Sequence, residues 1–501
     1  MKTTRALRAG GAALALAAAM SGCSPSAPSA EDDGGRIRLA MLQPPRSGLT
    51  PFSDDAFKLS RWGTAETLVM LDENGEALPH LATGWKRVGE NAWEFTLRDD
   101  VEFHDGTKLS AAAVANTLTR ATKAAPKPRI LDGVELTAAA TGQLTVRVAT
   151  AAVDPLLPQR LSSPQLAILA ESAYRSDGTV SPVGTGSGPF RLVAVNGTST
   201  ATLDRFDGYW GKRSTAPGID VSFVPDGTAR GAALRTGSAD VVEAIPVSQA
   251  PLLDDSLIHE VPMPRTNTLY LNNAMGPFAD SSLRAAARKA LNPDGIVKTV
   301  YEGRADVAAG LLGPALPWAA TLRAGGESAT ASGSPAGARI RLGTFSDRAE
   351  LPEVAVLVEQ QLEAAGFVVE QVVREYAHFE KDMLAGAFDA VILSRATVLD
   401  SGDPVAYMFS DFSCKGSFNI AHVCDPEIDR ALAKASSAEP GPERRAAIMA
   451  AEAEILKRDA ALPMLHERVI QGEAAGVSGV SRDPRERALI TGESAAVRGE
   501  R

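Results

Sequence analysis

Apolar and polar residues alternate in short runs through the first third of the chain, the period-two signal of half-buried strands. Ile37-Arg-Leu-Ala-Met41 is the first such run and suits an edge strand. Thr67-Leu-Val-Met-Leu71 and Trp85-Lys-Arg-Val88 follow in a hairpin-like pattern around the turn residues Asp72-Glu-Asn-Gly75. Trp93-Glu-Phe-Thr-Leu97 alternates strictly, and Val101-Glu-Phe103 leads into the turn His104-Asp-Gly106. Residues 109–123 switch to helical spacing, with Ala112, Val114, Leu118 and Ala121 on one face and Ser110 as cap. Alternation resumes at Val134-Glu-Leu136 and Leu144-Thr-Val-Arg-Val148, so residues 65–182 read as a small α+β lobe.

Two further patterns follow. Phe190-Arg-Leu-Val-Ala-Val195 and Ala201-Thr-Leu203 look antiparallel. Ile219-Asp-Val-Ser-Phe-Val224, a helical face over 229–236 and Ala239-Asp-Val-Val242 resemble a βαβ crossover. A strand near 268–273 marks a lobe boundary. Beyond it come helices over 281–291 and 295–301 and a Gly/Ala/Ser-rich loop over 323–338. An α/β unit then alternates strands at 340–344, 368–373 and 387–393 with helices at 350–365 and 378–384. Helices over 427–436 and 442–459 precede a strand at 461–465, and the last twenty residues read as a charged, frayed end.

The N-terminus bears on compartment. Lys2, Arg5 and Arg8 precede an apolar run over 11–20 that is too short to span a bilayer but fits a signal-peptide core. It ends in Met20-Ser-Gly-Cys23, which resembles the lipobox of bacterial lipoproteins and implies cleavage before Cys23 and lipid on its sulfur. An ordinary secretory signal that happens to precede a cysteine is the alternative. Residues 24–35 are small and polar and read as a tether. Loss of the signal would leave 48 basic against 61 acidic residues, taking the net charge from −10 to −13. That acidic body argues against nucleic acid as a partner. Among three cysteines, Cys414 and Cys424 remain after Cys23 and read as a disulfide in an exported chain. A metal site with His422 is the competing reading, but no CxxC or second histidine lies nearby to complete it.

Catalytic motifs are missing from the sequence. GxSxG, a Walker A loop and HExxH do not occur, and His466-Glu467 has no histidine at the required spacing. The glycines at 184–188 lack the Lys-Ser/Thr tail of a phosphate cradle and read as a tight turn. His104 and Asp105 read as turn-shaping residues.

Several spaced segments resemble the oligopeptide-, dipeptide- and nickel-binding proteins of ABC importers, solute-binding family 5. They are Glu66-Thr-Leu-Val69 with Gly75, Pro79-His-Leu-Ala82 and Trp85, then Trp93 through Gly106. Pro182-Val-Gly-Thr-Gly-Ser-Gly-Pro-Phe190 is similar to the family's Gly-Thr-Gly-Pro turn with two residues inserted. Leu269-Tyr-Leu-Asn272, Phe388-Asp389, Asp400-Ser-Gly-Asp-Pro404 and Cys424-Asp-Pro-Glu-Ile-Asp429 extend the match over almost the whole mature chain. The resemblance implies an α/β, two-lobed periplasmic-binding-protein type II fold with an additional small α+β lobe. It places lobe I at 36–64, 183–268 and 466–501, the accessory lobe at 65–182 and lobe II at 269–465.

It also implies a binding protein and not an enzyme: a monomer without cofactor or metal that closes two lobes on a short peptide for membrane permease subunits. A nickel or other metal-chelate receptor is the alternative, and a cell-surface hydrolase a remote one. In peptide-binding relatives the position three before an acidic-Pro pair carries an aspartate that meets the ligand ammonium. Asp400 has that spacing to Asp403-Pro404, the competing reading being a solvated loop aspartate that caps this pair. Dipeptide-type relatives often carry Trp where this chain has Thr397, which puts the ligand side-chain pocket in doubt. Arg395 and Arg348 are the candidates for a ligand carboxylate.

Overall fold

A computed structural model of the chain describes residues 35–131, 133–323, 330–348, 350–398 and 401–497, with the side chain of Ala377 excepted. The signal segment, Cys23, nearly all of the tether and Asp400 lie outside the described residues.

The dominant feature is an eleven-stranded sheet. In one half, Ile37–Met41 lies between Gly218–Phe223 and Val241–Ile245, parallel to both. Thr200–Arg205 and Phe190–Asn196 extend that half outward as antiparallel neighbours. In the other half, Arg339–Phe345 lies parallel between Val368–Arg374 and Ala390–Ala396. Two long antiparallel strands, Ile258–Leu271 and Ala461–Glu473, join the halves. The first pairs with Ala390–Ala396 through residues 265–271. The second pairs with Val241–Ile245 through residues 470–473. Each half buries its own core: Ile37, Trp62, Phe190, Val221 and Ile490 in one, Tyr270, Phe345, Phe379, Phe412 and Ile455 in the other.

A separate four-stranded antiparallel sheet orders Ala82–Arg87, Ala92–Leu97, Thr145–Thr150 and Leu136–Ala140. The helix Ala111–Lys123 belongs to the same apolar core, which contains Phe95, Val114, Leu118 and Val148. The Ser110 hydroxyl caps that helix by accepting from Ala113 N at 3.2 Å, satisfying one of its orphan donors.

Four expectations change. Ile37–Met41 is an interior strand, because the flanking arginines are not turned to solvent. Arg38 donates to Asp240 at 3.0 Å, and Arg36 donates to Asp220 and Asp204, each at 2.9 Å. The partner of Val69–Leu71 is Ala77–Pro79 and not residues 85–88. The Asp72 carboxylate accepts from Asn74 N and Glu76 N at 2.8 and 2.9 Å, which turns the chain back at once. The strand expected near 268–273 begins ten residues earlier, and the one at 461–465 runs on to Glu473. Finally, residues 481–497 are not frayed. Leu489 and Ile490 are buried, Ile490 N donates to Arg61 O at 2.8 Å, and Ala495–Ala496 pairs with Val477–Ser478.

Candidate functional site

Strand direction locates the site. Ala390–Ala396 is antiparallel to Ile258–Leu271, with Ala396 opposite Arg265 and Ala390 opposite Leu271. Its carboxyl end, and that of the parallel strand Arg339–Phe345, therefore points back along the linking strands toward the other half. There, Val241–Ile245 is antiparallel to Ala461–Glu473, with Ile245 opposite Ile470. Its carboxyl end and those of Ile37–Met41 and Gly218–Phe223 point the opposite way. Both halves thus aim the carboxyl ends of their parallel strands at one crevice. Ligands of open α/β sheets bind outside those ends, where the chain leaves adjacent strands in opposite directions. Arg339–Phe345 and Ala390–Ala396 form such a pair: the first continues through the helix Glu350–Ala364 to the outer strand Val368–Arg374, and the second is followed in sequence by the helix Val405–Phe412.

The crevice is floored by an irregularity in the linking strands. Pro262 pairs with Arg468 and Thr266 with His466, so Met263, Pro264 and Arg265 oppose Glu467 alone. Such bulges re-aim side chains. Glu467 accepts from Arg348 Nη1 at 2.7 Å and from Asn267 Nδ2 at 3.0 Å. The Glu467 charge outweighs burial and holds the Arg348 guanidinium above its usual pKa. Glu486 approaches from the C-terminal segment, 3.8 Å from Arg265 Nε.

The residues singled out in the sequence have specific internal partners. Arg395 donates two hydrogen bonds, at 2.6 and 2.7 Å, to the fully buried Asp411. Its guanidinium also lies 4.2 Å from the centre of the Phe418 ring. Burial disfavours the Arg395 charge, yet Asp411 more than offsets this and keeps its pKa above the usual value. Asp403 accepts from Arg444 at 2.7 and 3.1 Å and from Val405 N at 2.9 Å, pinning the start of Val405–Phe412. Thr397 is buried, and its N–H and hydroxyl both donate to Pro264 O, at 2.8 and 3.2 Å. Gly402 N donates to Val398 O at 3.2 Å. The described ends of the segment that carries position 400 are thereby fixed beside the crevice. Cys414 and Cys424 form a disulfide, and the loop between them carries Phe418 to Arg395.

Residues of the signature-like block act as supports. Buried Glu66 accepts from Ser187 Oγ, Tyr209 Oη and Trp210 Nε1 at 2.8, 2.9 and 3.0 Å. His104 Nε2 donates to Gly188 O at 2.8 Å, and burial pushes its pKa down to about 4. A Cβ at Gly186 would lie 1.9 Å from Thr64 O, and one at Gly188 2.2 Å from Gly63 O. Close backbone approach explains both glycines.

Arg265, Asp411, Glu467 and Glu486 were not anticipated. Their partners lie on distant elements, and only strand direction, which local sequence does not encode, brings them together.

Residues 76–419 match the family described as bacterial extracellular solute-binding proteins, family 5, middle region. A glutathione-binding protein of Pectobacterium atrosepticum is 28% identical over 294 residues, 55% of this chain and 56% of that one. The chain thus spans about half the length of the curated relatives it matches. Among solved structures, a nickel ABC transporter protein from Bacillus halodurans has TM-score 0.78 at 24% identity, covering 92% of this chain and all of that one. A dipeptide-binding protein of Pseudoalteromonas, solved with Met-Leu, has TM-score 0.75 at 20% identity, with 92% of this chain and all of that one covered. These structural likenesses establish the same two-lobed fold.

Proposed function

Because this chain belongs to the bacterial extracellular solute-binding proteins of family 5, we propose that it captures a short peptide between its lobes and presents it to the permease subunits of an ABC importer. The observation that carries this reading is the facing pair of strand ends, with Thr397 on one side and the bulge at 263–265 between them. Two linking strands allow the halves to close on a ligand, and closure stabilised only by contacts to both is the usual two-state device. Asp400, three residues after Thr397 in sequence, takes the ligand ammonium. An ammonium leaving water needs a charge-assisted acceptor, and such bonds are about twice as strong as neutral ones.

Metal-chelate capture is the second reading. A nickel protein has the same fold as this chain, and the crevice gathers arginines that suit a chelator's carboxylates. In either case the protein is a monomer working without a cofactor, held on the outer face of the cytoplasmic membrane by lipid on Cys23.

Calorimetric titration with di- to pentapeptides, as free amines and as N-acetylated forms, tests the peptide reading. Wild type should bind free amines, and Asp400→Asn should weaken them at least tenfold. A hydrogen bond to a charged group contributes about 1.5–3 kcal/mol, and each decade corresponds to about 1.4 kcal/mol. Uptake of a nickel chelate with no peptide binding would overturn the peptide in favour of the chelate. Release of Cys23→Ala from the membrane fraction tests the anchor; its retention would sink that part.

A further inference from the structure

The body built on the four-stranded sheet belongs with the half of the large sheet that carries Ile37–Met41. Tyr174 and Val180 pack against the cores of both, and Glu66 ties the two together through Ser187, Tyr209 and Trp210. Arg485, on the C-terminal segment of the same half, donates to Asp72 O and fixes the hairpin of Val69–Leu71 and Ala77–Pro79 in place. Among the described residues, the core of this small body shares no member and no packed neighbour with the core of the half that carries Arg339–Phe345. The two nevertheless touch, and the contact is polar.

The hairpin tip makes it. Glu76 Oε1 accepts from Arg445 Nη2 at 2.5 Å. Beside it two backbones meet: a Cβ on Gly75 would lie 2.9 Å from Gly402 O, and one on Gly402 would lie 2.5 Å from Leu71 Cδ1. A second ion pair joins Arg87 Nη1 to Glu439 Oε1 at 2.8 Å. Arg444 and Arg445 stand in the first turn of the helix Pro442–Leu456, where the helix dipole disfavours cations. Arg444 is compensated within its own half by Asp403 and the carbonyls of Ala435, Ser436 and Ala438. Arg445, by contrast, has its carboxylate partner across the contact, on the hairpin. Gln159 Oε1 from one side and Trp318 Nε1 from the other are buried and unbonded, and both residues line a cavity of about 30 Å³. Ion pairs, glycines and unsatisfied polar atoms without a joint core make a contact that can part, as polar interfaces within a chain commonly do.

We propose that this contact is a latch: the hairpin tip holds one half against the other through Glu76–Arg445 and Arg87–Glu439, and favours the closed arrangement before any ligand arrives. The inference rests on the two halves moving against each other, as the capture function proposed above requires. A contact made only in the closed arrangement raises the affinity for every ligand by one factor and leaves their ranking unchanged. Both pairs are partly exposed, so added salt weakens the latch.

The test uses the full chain as Cys23→Ala, free of the membrane, and reads small-angle X-ray scattering without ligand. The protein should be compact at about 20 mM salt and expand toward about 500 mM. Glu76→Arg and Arg445→Glu should each be expanded already at low salt, the two combined should be compact again, and Glu76→Gln should fall between. Thermal unfolding checks that each variant folds. Calorimetry with free-amine dipeptides and with Ni(II)–histidine should show each single reversal weakening every probe that binds by a common factor of about three to ten, regained in the double exchange. Folded reversals as compact as the parent at every salt concentration overturn the latch and leave the capture function standing. Unequal losses among the probes would place Glu76 or Arg445 in ligand contact and also overturn it. Charge-dependent expansion with no probe bound upholds the latch and overturns capture.

Discussion

Gly186→Ala should destabilise the protein by about 3 kcal/mol, although alanine is smaller than almost any other replacement. The backbone conformation there is not left-handed, so conformational preference does not oppose the change, and stiffening the unfolded chain favours it by about 0.4–1 kcal/mol. The obstacle is space. The new Cβ would sit 1.9 Å from Thr64 O and 2.9 Å from Thr64 C, so the two backbones must separate by about 1.1 Å to reach even 3.0 Å. Three hydrogen bonds cross or border this contact: Gly188 N to Thr64 O at 3.3 Å, Phe190 N to Gly63 O at 3.2 Å and His104 N to Gly186 O at 2.8 Å. At about 1–1.5 kcal/mol each when lost from a buried place, they outweigh the entropic gain. Gly84→Ala is the control, since a Cβ there meets nothing within 4 Å and its φ is ordinary. Guanidinium unfolding followed by tryptophan fluorescence reads both variants, with Gly84→Ala expected within about 0.5 kcal/mol of wild type. A Gly186→Ala protein within about 1 kcal/mol of wild type would refute the close-approach argument.

Two further outcomes follow from buried groups. Burial alone would raise the Glu66 pKa, but hydrogen bonds from His80, Trp210 and Ser187 prevail and hold it below the ordinary glutamate value of 4.5. A depressed carboxylate contributes stability above its unfolded pKa and loses it as pH falls through the folded one. Glu66→Gln should therefore cost about 3 kcal/mol at neutral pH, a gap that narrows progressively below pH 4.5 in denaturant titrations; a gap constant to pH 3 would contradict it. Replacing Cys414 and Cys424 with serine should cost about 2–3 kcal/mol through loop closure. The unfolding midpoint of the double variant reads this directly, and an unchanged midpoint would mean that the loop around Phe418 is held by packing alone.

Periodicity located the elements whose partners lie close in sequence. The cap at Ser110, the hairpin Phe190–Asn196 with Thr200–Arg205 and the unit Arg339–Phe345, Glu350–Ala364, Val368–Arg374 all follow the apolar spacing within a residue or two. The linking strands were legible only in part, near 268–271 and at 461–465. Pro262, Pro264 and Pro463 interrupt the alternation that marks a strand; Pro264 lies in the unpaired stretch, and Pro262 and Pro463 sit at the borders of the two register shifts. At the site, charge near position 400 drew attention to Arg395 and Asp403, whose partners are hidden from local reading. Asp411 lies a helix further on, and Arg444 lies 41 residues from Asp403. A charged side chain beside a crevice is as easily a brace as a ligand contact, and only the partner's position tells which.

The bulge also bears on where one half can bend against the other. Between Pro262 and Thr266 the strand Ile258–Leu271 has no regular pairing with Ala461–Glu473, and a second, smaller register shift follows between Asn267 and Thr268. Pro262 and Pro264 carry no N–H, so bending at this bulge breaks few ladder hydrogen bonds. Arg265 closes this unpaired stretch and is anchored on its other side by pairing with Ala396. Rotation of one half against the other therefore moves the Arg265 guanidinium relative to Glu486, which belongs to the C-terminal segment packed on the first half.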